Sequence, residues 1–129
     1  MNNMQQANVY QQYKAQSLET LTNGEIVVKL FEEASKQINM GIFLINSDNS
    51  YKAYNSISKA HKVISSLNSS LDMAYAISIE LREMYLFIEQ KLIQANGARD
   101  IALLKEILPL VDDLKTTFRQ AEKLARSQR

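Results

Sequence analysis

Few side chains in this sequence could do chemistry, and their spacing argues against most reactions. His61 is the single histidine, the residue type whose ordinary charge changes near neutral pH. A carboxylate-bridged di-iron centre in a helical bundle needs Glu-x-x-His pairs on two helices, and the sequence contains no such pair. A phosphate-accepting histidine needs a small neighbour through which a phosphoryl donor can approach, and His61-Lys-Val-Ile-Ser-Ser lacks it. A structural or surface role is therefore the reading for His61. The acidic pairs Glu32-Glu33 and Asp112-Asp113 are adjacent, so on a helix they point about 100° apart and make poor acid–base dyads. Both pairs read as solvated helix faces. None of the 3 glycines forms a phosphate-cradling loop. With no cysteine, neither a disulfide nor a thiolate metal site can form. Lys115, Arg119, Lys123, Arg126 and Arg129, set against Glu122, place cations where they complement the C-terminal end of a helix dipole. These residues predict a protein that is not an enzyme and holds no metal and no cofactor.

The global numbers bound the alternatives. A chain of 129 residues is near the commonest domain size and long enough to bury a core. Its 46% hydrophobic and 22% charged residues are ordinary for a soluble globular domain. A formal net charge of +1 gives no general attraction to nucleic acid or anionic membrane, and neither is expected as a partner. Met1-Asn-Asn-Met-Gln-Gln-Ala-Asn lacks the basic and then apolar pattern of a secretory signal. No apolar run approaches the roughly 20 residues that span a bilayer. A cytoplasmic location is the expectation.

The elements that would position any site are helices. Residues 1 to about 17 are rich in Gln and Asn, with Val9, Tyr10 and Tyr13 as bulky anchors. Such an arm buries too little to hold itself folded. Thr22-Asn-Gly-Glu25 is a capping box, and Leu21 and Ile26 occupy the hydrophobic-staple positions around it. The first helix is read over about 23–46, through Ile26, Val27, Leu30, Phe31, Ala34, Ile38, Ile42 and Ile45. Ser47-Asp-Asn-Ser50 is a polar turn cluster. The second helix, about 50–70, carries Ala53, Ile57, Ala60, Ile64, Leu67 and Leu71 at steps of four and three, the pattern of bundle packing. The third, about 73–95, carries Ile77, Leu81, Met84, Ile88, Leu92 and Ala95. Asn96-Gly97 is read as its left-handed stop, and Asp100 as the cap of the fourth helix, about 100–127. That helix carries Leu104, Ile107, Val111, Leu114, Phe118, Ala121 and Ala125; Pro109 is expected to kink it, since the apolar phase continues past the proline. The pattern predicts one all-α domain, an antiparallel up-down four-helix bundle with a polar N-terminal arm.

Not all the apolar residues fit these stripes. Tyr51, Tyr54, Val63, Tyr75, Ile79, Tyr85 and Phe87 fall beside or outside them. Four helices have more apolar surface here than one core needs, which on a soluble bundle points to a protein partner.

The order of the motifs resembles a known family, the flagellin-specific export chaperones called FliS. Its tyrosine-containing arm is similar to Val9-Tyr10-Gln-Gln-Tyr13, and its Ser/Thr-Pro-Gly-Glu helix start is similar to Thr22-Asn23-Gly24-Glu25-Ile26, with Asn in place of proline. The segment Lys59-Ala-His-Lys-Val-Ile-Ser-Ser-Leu-Asn-Ser-Ser-Leu-Asp72 resembles the family's Lys-Ala-x-x-Ile-Ile-x-x-Leu-x-x-x-Leu-Asp. Met84-Tyr-Leu-Phe-Ile, Leu92-Ile-Gln-Ala-Asn96 and Asp100 follow as in the family. Two features depart from it: no Gly-Gly pair follows Leu71-Asp72, and Phe118 stands where a tryptophan is common.

The resemblance implies a binding function without catalysis. A cytoplasmic bacterial chaperone of this kind would capture the disordered C-terminal segment of flagellin, prevent premature polymerisation and assist flagellar type III export. Contacts are expected from Tyr10, Tyr13, Tyr54, Ile57, His61, Ile64, Ile77, Leu81 and Tyr85, a set that sequence cannot divide between groove and core. Other flagellar export components are further expected partners, and the protein is expected to be a monomer or weak homodimer. Two other classes stay open at this point: a histidine phosphotransfer bundle, which needs an exposed His61, and a structural homo-oligomeric bundle.

Overall fold

The computed structural model describes residues 23–127, and among them every regular element is a helix. Helix α1 spans Asn23–Asn46, α2 Ser50–Ser69, α3 Ala76–Ala98 and α4 Ile101–Ser127. Short connections fold consecutive helices back antiparallel. Helices α1 and α3 each pack against both α2 and α4, so the four close into a ring around one core. The all-α four-helix bundle is therefore the fold of the described residues. The N-terminal arm with Tyr10 and Tyr13, and the capping-box and staple residues Thr22 and Leu21, lie outside them.

The core follows the helical period. Ala53, Ile57, Ala60, Ile64 and Leu67 of α2 face Val27, Phe31, Ala34 and Ile38 of α1, all buried. Phe31 sits near the bundle axis, its ring centroid 5.4 Å from that of Phe118 on α4 and 6.2 Å from that of Tyr85 on α3. Aromatic rings at such separations attract beyond the area they bury. Helices α1 and α2 approach closely at Gly41. A Cβ placed there would stand 2.7 Å from Ile57 Cγ1, so the absent side chain lets α1 and α2 touch.

Helix α3 departs from the sequence reading in three places. Its buried stripe takes Tyr85 (2% exposed) in place of Met84 (41% exposed). Both positions suit a stripe containing Leu81 and Ile88, one at steps of three and four and the other at four and three. The larger ring fills the space beside Phe31, which corrects the assignment of Tyr85 to a flank. The helix also begins at Ala76 rather than near Met73. Asp72 there organises a turn: its Oδ1 accepts from the Ala74 N–H at 3.0 Å, and its carbonyl accepts from the Ser78 hydroxyl at 2.6 Å. Such side-chain-to-backbone bonds compete with helix.

At its other end α3 runs through Asn96 and Gly97, and the left-handed residue is Arg99, with φ 50° and ψ 49°. The Asn96 amide donates to the Tyr54 carbonyl at 3.3 Å and to Ser58 Oγ at 3.1 Å. These bonds hold the last turn on α2 while it is still helical. The Arg99 N–H donates to the Ala95 carbonyl, and its guanidinium donates to Ser50 Oγ. Asp100 caps α4 through Oδ1, which accepts from the Leu103 N–H at 3.0 Å. Helix α4 is continuous through Pro109.

Two acidic residues read as solvated faces, and both still substantially exposed, also tie α1 to α4. Ser35 Oγ donates to Asp112 Oδ1 at 2.8 Å, and the Arg119 guanidinium meets Glu32 Oε2 at 2.8 Å. The paired residues lie on different elements, so their proximity could not be read from spacing along one helix. Ile26, placed on the α1 stripe by its period, is exposed.

Leu92→Asp should lower the melting temperature sharply, because Leu92 is fully buried and the new carboxylate would have no partner. Gly41→Ala should lose about 1–2 kcal/mol in urea unfolding, since crowding against Ile57 outweighs the propensity gain. In an Ile57→Ala background the same change should become stabilising by up to about 1 kcal/mol.

Candidate binding surface

Helix α3 buries one stripe and is apolar well beyond it. Ile79 (56% exposed), Leu86, Phe87 (47%) and Ile93 (60%) face outward together with Met84. A helix with two neighbours can hide only the stripes that meet them, so this outward surface is left to solvent.

Two grooves flank α3. Between α3 and α4, Ile77, Leu81, Met84, Leu110 and Leu114 line a depression of about 250 Å³. Phe87, Leu103, Ile107 and Leu110 line a second, of about 240 Å³. Leu110 belongs to both, so they form one furrow. From Ile77 to Lys91 it follows α3 for about 21 Å, at 1.5 Å per residue. Its rims are polar: Glu80, Asp113 and Thr117 near the start of α3, and Lys91 and Glu106 farther along. The Lys91 ammonium lies 5.5 Å from the centroid of the Phe87 ring, a cation–π arrangement.

Between α2 and α3 the character changes. A depression of about 390 Å³ is lined by Tyr54, Ser58, His61, Lys62, Leu92, Ile93, Asn96 and Gly97. His61 Nε2 lies 3.3 Å from Glu89 Oε1, and the Asn68 amide donates to the other carboxylate oxygen at 3.4 Å. His61 thus helps to join α2 to α3. Its imidazole is partly shielded and already faces a carboxylate, which is poor placement for accepting a phosphoryl group.

The residues singled out from sequence separate into three groups. Tyr54 and His61 line the α2–α3 depression. Ile77 and Leu81 form the floor of the α3–α4 furrow. Ile57, Ile64 and Tyr85 are buried in the core and present almost no surface to a partner. Tyr10 and Tyr13 lie outside the described residues. Sequence reasoning passed over Met84, Leu103 and Leu110 as furrow residues. Leu103 and Leu110 each sit one position before a buried residue of α4, and that widening of the stripe was the available signal. Among the described residues no cluster of His, Asp and Glu could hold a metal ion, and no helix is long and apolar enough to cross a membrane.

Comparison with known proteins bears on what such a surface serves. The family model described as flagellar protein FliS matches residues 6–125. The flagellar secretion chaperone FliS of Bacillus subtilis (strain 168) is 29% identical over 122 residues, covering 95% of this chain and 92% of that protein.

Phe87→Ser and Ile93→Ser should each change unfolding free energy by no more than about 0.5 kcal/mol, because neither side chain belongs to the core. Both should reduce the fluorescence of an apolar dye bound to the native protein, and equilibrium unfolding with dye titration would check the pair of outcomes.

Proposed function

The chain belongs to the family of the flagellar protein FliS, and on that premise we propose that it is a cytoplasmic export chaperone for the disordered C-terminal segment of flagellin. The observation that carries this reading is the outward apolar surface of α3 with a furrow along its α4 side. A disordered client loses conformational entropy when it is captured, on the order of 1–2 kcal/mol for each residue fixed. Recovering that cost takes a long apolar contact rather than a compact pocket. The furrow suits a client helix of roughly 14 residues laid between α3 and α4 with its apolar face inward. The α2–α3 depression offers a second contact through Tyr54 and Ile93.

Covering the client segment would have two effects. Its apolar face would be unavailable to other flagellin molecules, which prevents premature polymerisation. The segment would also remain only locally folded, a state suited to hand-over at the flagellar type III export gate. The client would meet exposed side chains such as Met84 and Phe87 together with the outer edges of the core residues Ile77, Leu81 and Ile107.

Titrating the full chain with the C-terminal segment of its own organism's flagellin should give saturable binding with a negative heat-capacity change and a gain of helix in the segment. Phe87→Ser should weaken binding by roughly tenfold, as expected for a central aromatic contact. His61→Gln should leave it nearly intact. Absence of binding at high micromolar concentration, with folded protein and the cognate segment, would refute the reading.

A further inference from the structure

The rims of the two grooves differ in charge. Three carboxylates border the α3–α4 furrow: Glu80 on α3, and Glu106 and Asp113 on α4. The cation among its described lining residues, Lys91, is directed over the Phe87 ring. The α2–α3 depression has the opposite balance. Its described lining residues include Lys62 and His61 but no carboxylate, and the nearby Glu89 is engaged by His61 and Asn68. Helix α3 therefore separates an acidic-rimmed furrow from a depression whose charged lining residue is a lysine.

The α4 rim also has a regular spacing. Glu106 and Asp113, both exposed, are seven residues apart, which on a helix is about two turns, roughly 10.5 Å along the axis and about 20° in azimuth. Two carboxylates in line beside an apolar floor match cations at the same spacing on a helix lying in the furrow. We infer that the α3–α4 furrow receives an amphipathic helix whose apolar face is flanked, on the side toward α4, by two basic residues seven positions apart. The inference rests on the client-binding reading and specifies the chemistry of the segment that occupies this furrow. Apolar contact supplies most of the affinity. The exposed charges steer the approach and select which edge of the helix faces α4, the usual contribution of rim charges.

The test uses two synthetic peptides of about 18 residues, long enough for five helical turns, with identical apolar faces. One carries Lys at the two flanking positions and its twin carries Glu. With the full chain in low salt, the Lys peptide should bind roughly fivefold more tightly, the contribution of two exposed ion pairs. The difference should shrink between about 0.05 and 0.5 M salt. It should reverse in the double variant Glu106→Lys/Asp113→Lys, whose substitutions are both at exposed positions and should leave the circular dichroism spectrum and melting temperature unchanged. Equal binding of the two peptides, or a preference that survives charge reversal, would overturn the inference while leaving the flagellin titration free to succeed. Failure of both peptides to bind would overturn it too, by showing that the furrow does not accept a helix. Concentration-dependent self-association in sedimentation, abolished by the double variant, would assign the furrow to a second copy of the chain and overturn it as well.

Discussion

Each helix in a ring of four meets two neighbours, and this limits how much apolar surface any of them can hide. Helix α2 leaves Tyr51 and Tyr54 exposed at its start, but its buried residues fall on one face, and its alanines, with Gly41 opposite Ile57, draw α1 close. Helix α3 exceeds the limit. Ile77, Leu81, Tyr85, Ile88 and Leu92 take up the buried stripe, while Ile79, Leu86, Phe87 and Ile93 remain outside. No rotation of α3 about its axis would bury both sets at once. The exposed apolar surface is thus a geometric consequence of giving this helix more apolar residues than its two contacts can cover.

The seams of the ring divide the remaining work. Polar links bind α1 to α4, where Ser35 reaches Asp112 and Arg119 reaches Glu32. His61, Glu89, Asn68 and Asn96 add polar contacts between α2 and α3. The α3–α4 seam is apolar along its floor and carries charge at its rims. The ion pair and the hydrogen bond across the first of these seams help to fix the relative position of two helices at little net energy, because exposed ion pairs contribute weakly. The floor of the α3–α4 furrow offers apolar side chains instead.

Much of the architecture was legible because it depends on period and on local caps. The steps of four and three in α2, the Asp100 cap and the fold class all follow from residues near one another in the chain. What could not be read depends on residues far apart. Nothing local says that Asn96 will donate to Tyr54 and Ser58 on another helix, yet those bonds accompany the continuation of α3 past Gly97 to a stop at Arg99. Choosing Tyr85 over Met84 likewise required knowing that Phe31 stands opposite. The exposed apolar surface was legible as a surplus of apolar residues, but not as a place. Of the residues suggested for it, Ile57 and Ile64 proved to be core, because the same chemistry serves both purposes and only burial separates them.

Pro109 gives the furrow wall a property that the packing does not. Helix α4 runs through it unbroken, but proline has no N–H to offer the carbonyl of Lys105, one turn earlier. Both residues are exposed, so water can satisfy that carbonyl. Leu103 and Leu110, which line the furrow, lie on either side of this gap, and Glu106 lies within it. The wall is consequently weakest in bending at its middle, where a small change of curvature stretches one fewer hydrogen bond. A helix seated in the furrow, as proposed above, would have side chains of unequal size accommodated by local flexing of α4, while the helix ends stay anchored by Asp100 on one side and the Phe118 layer on the other.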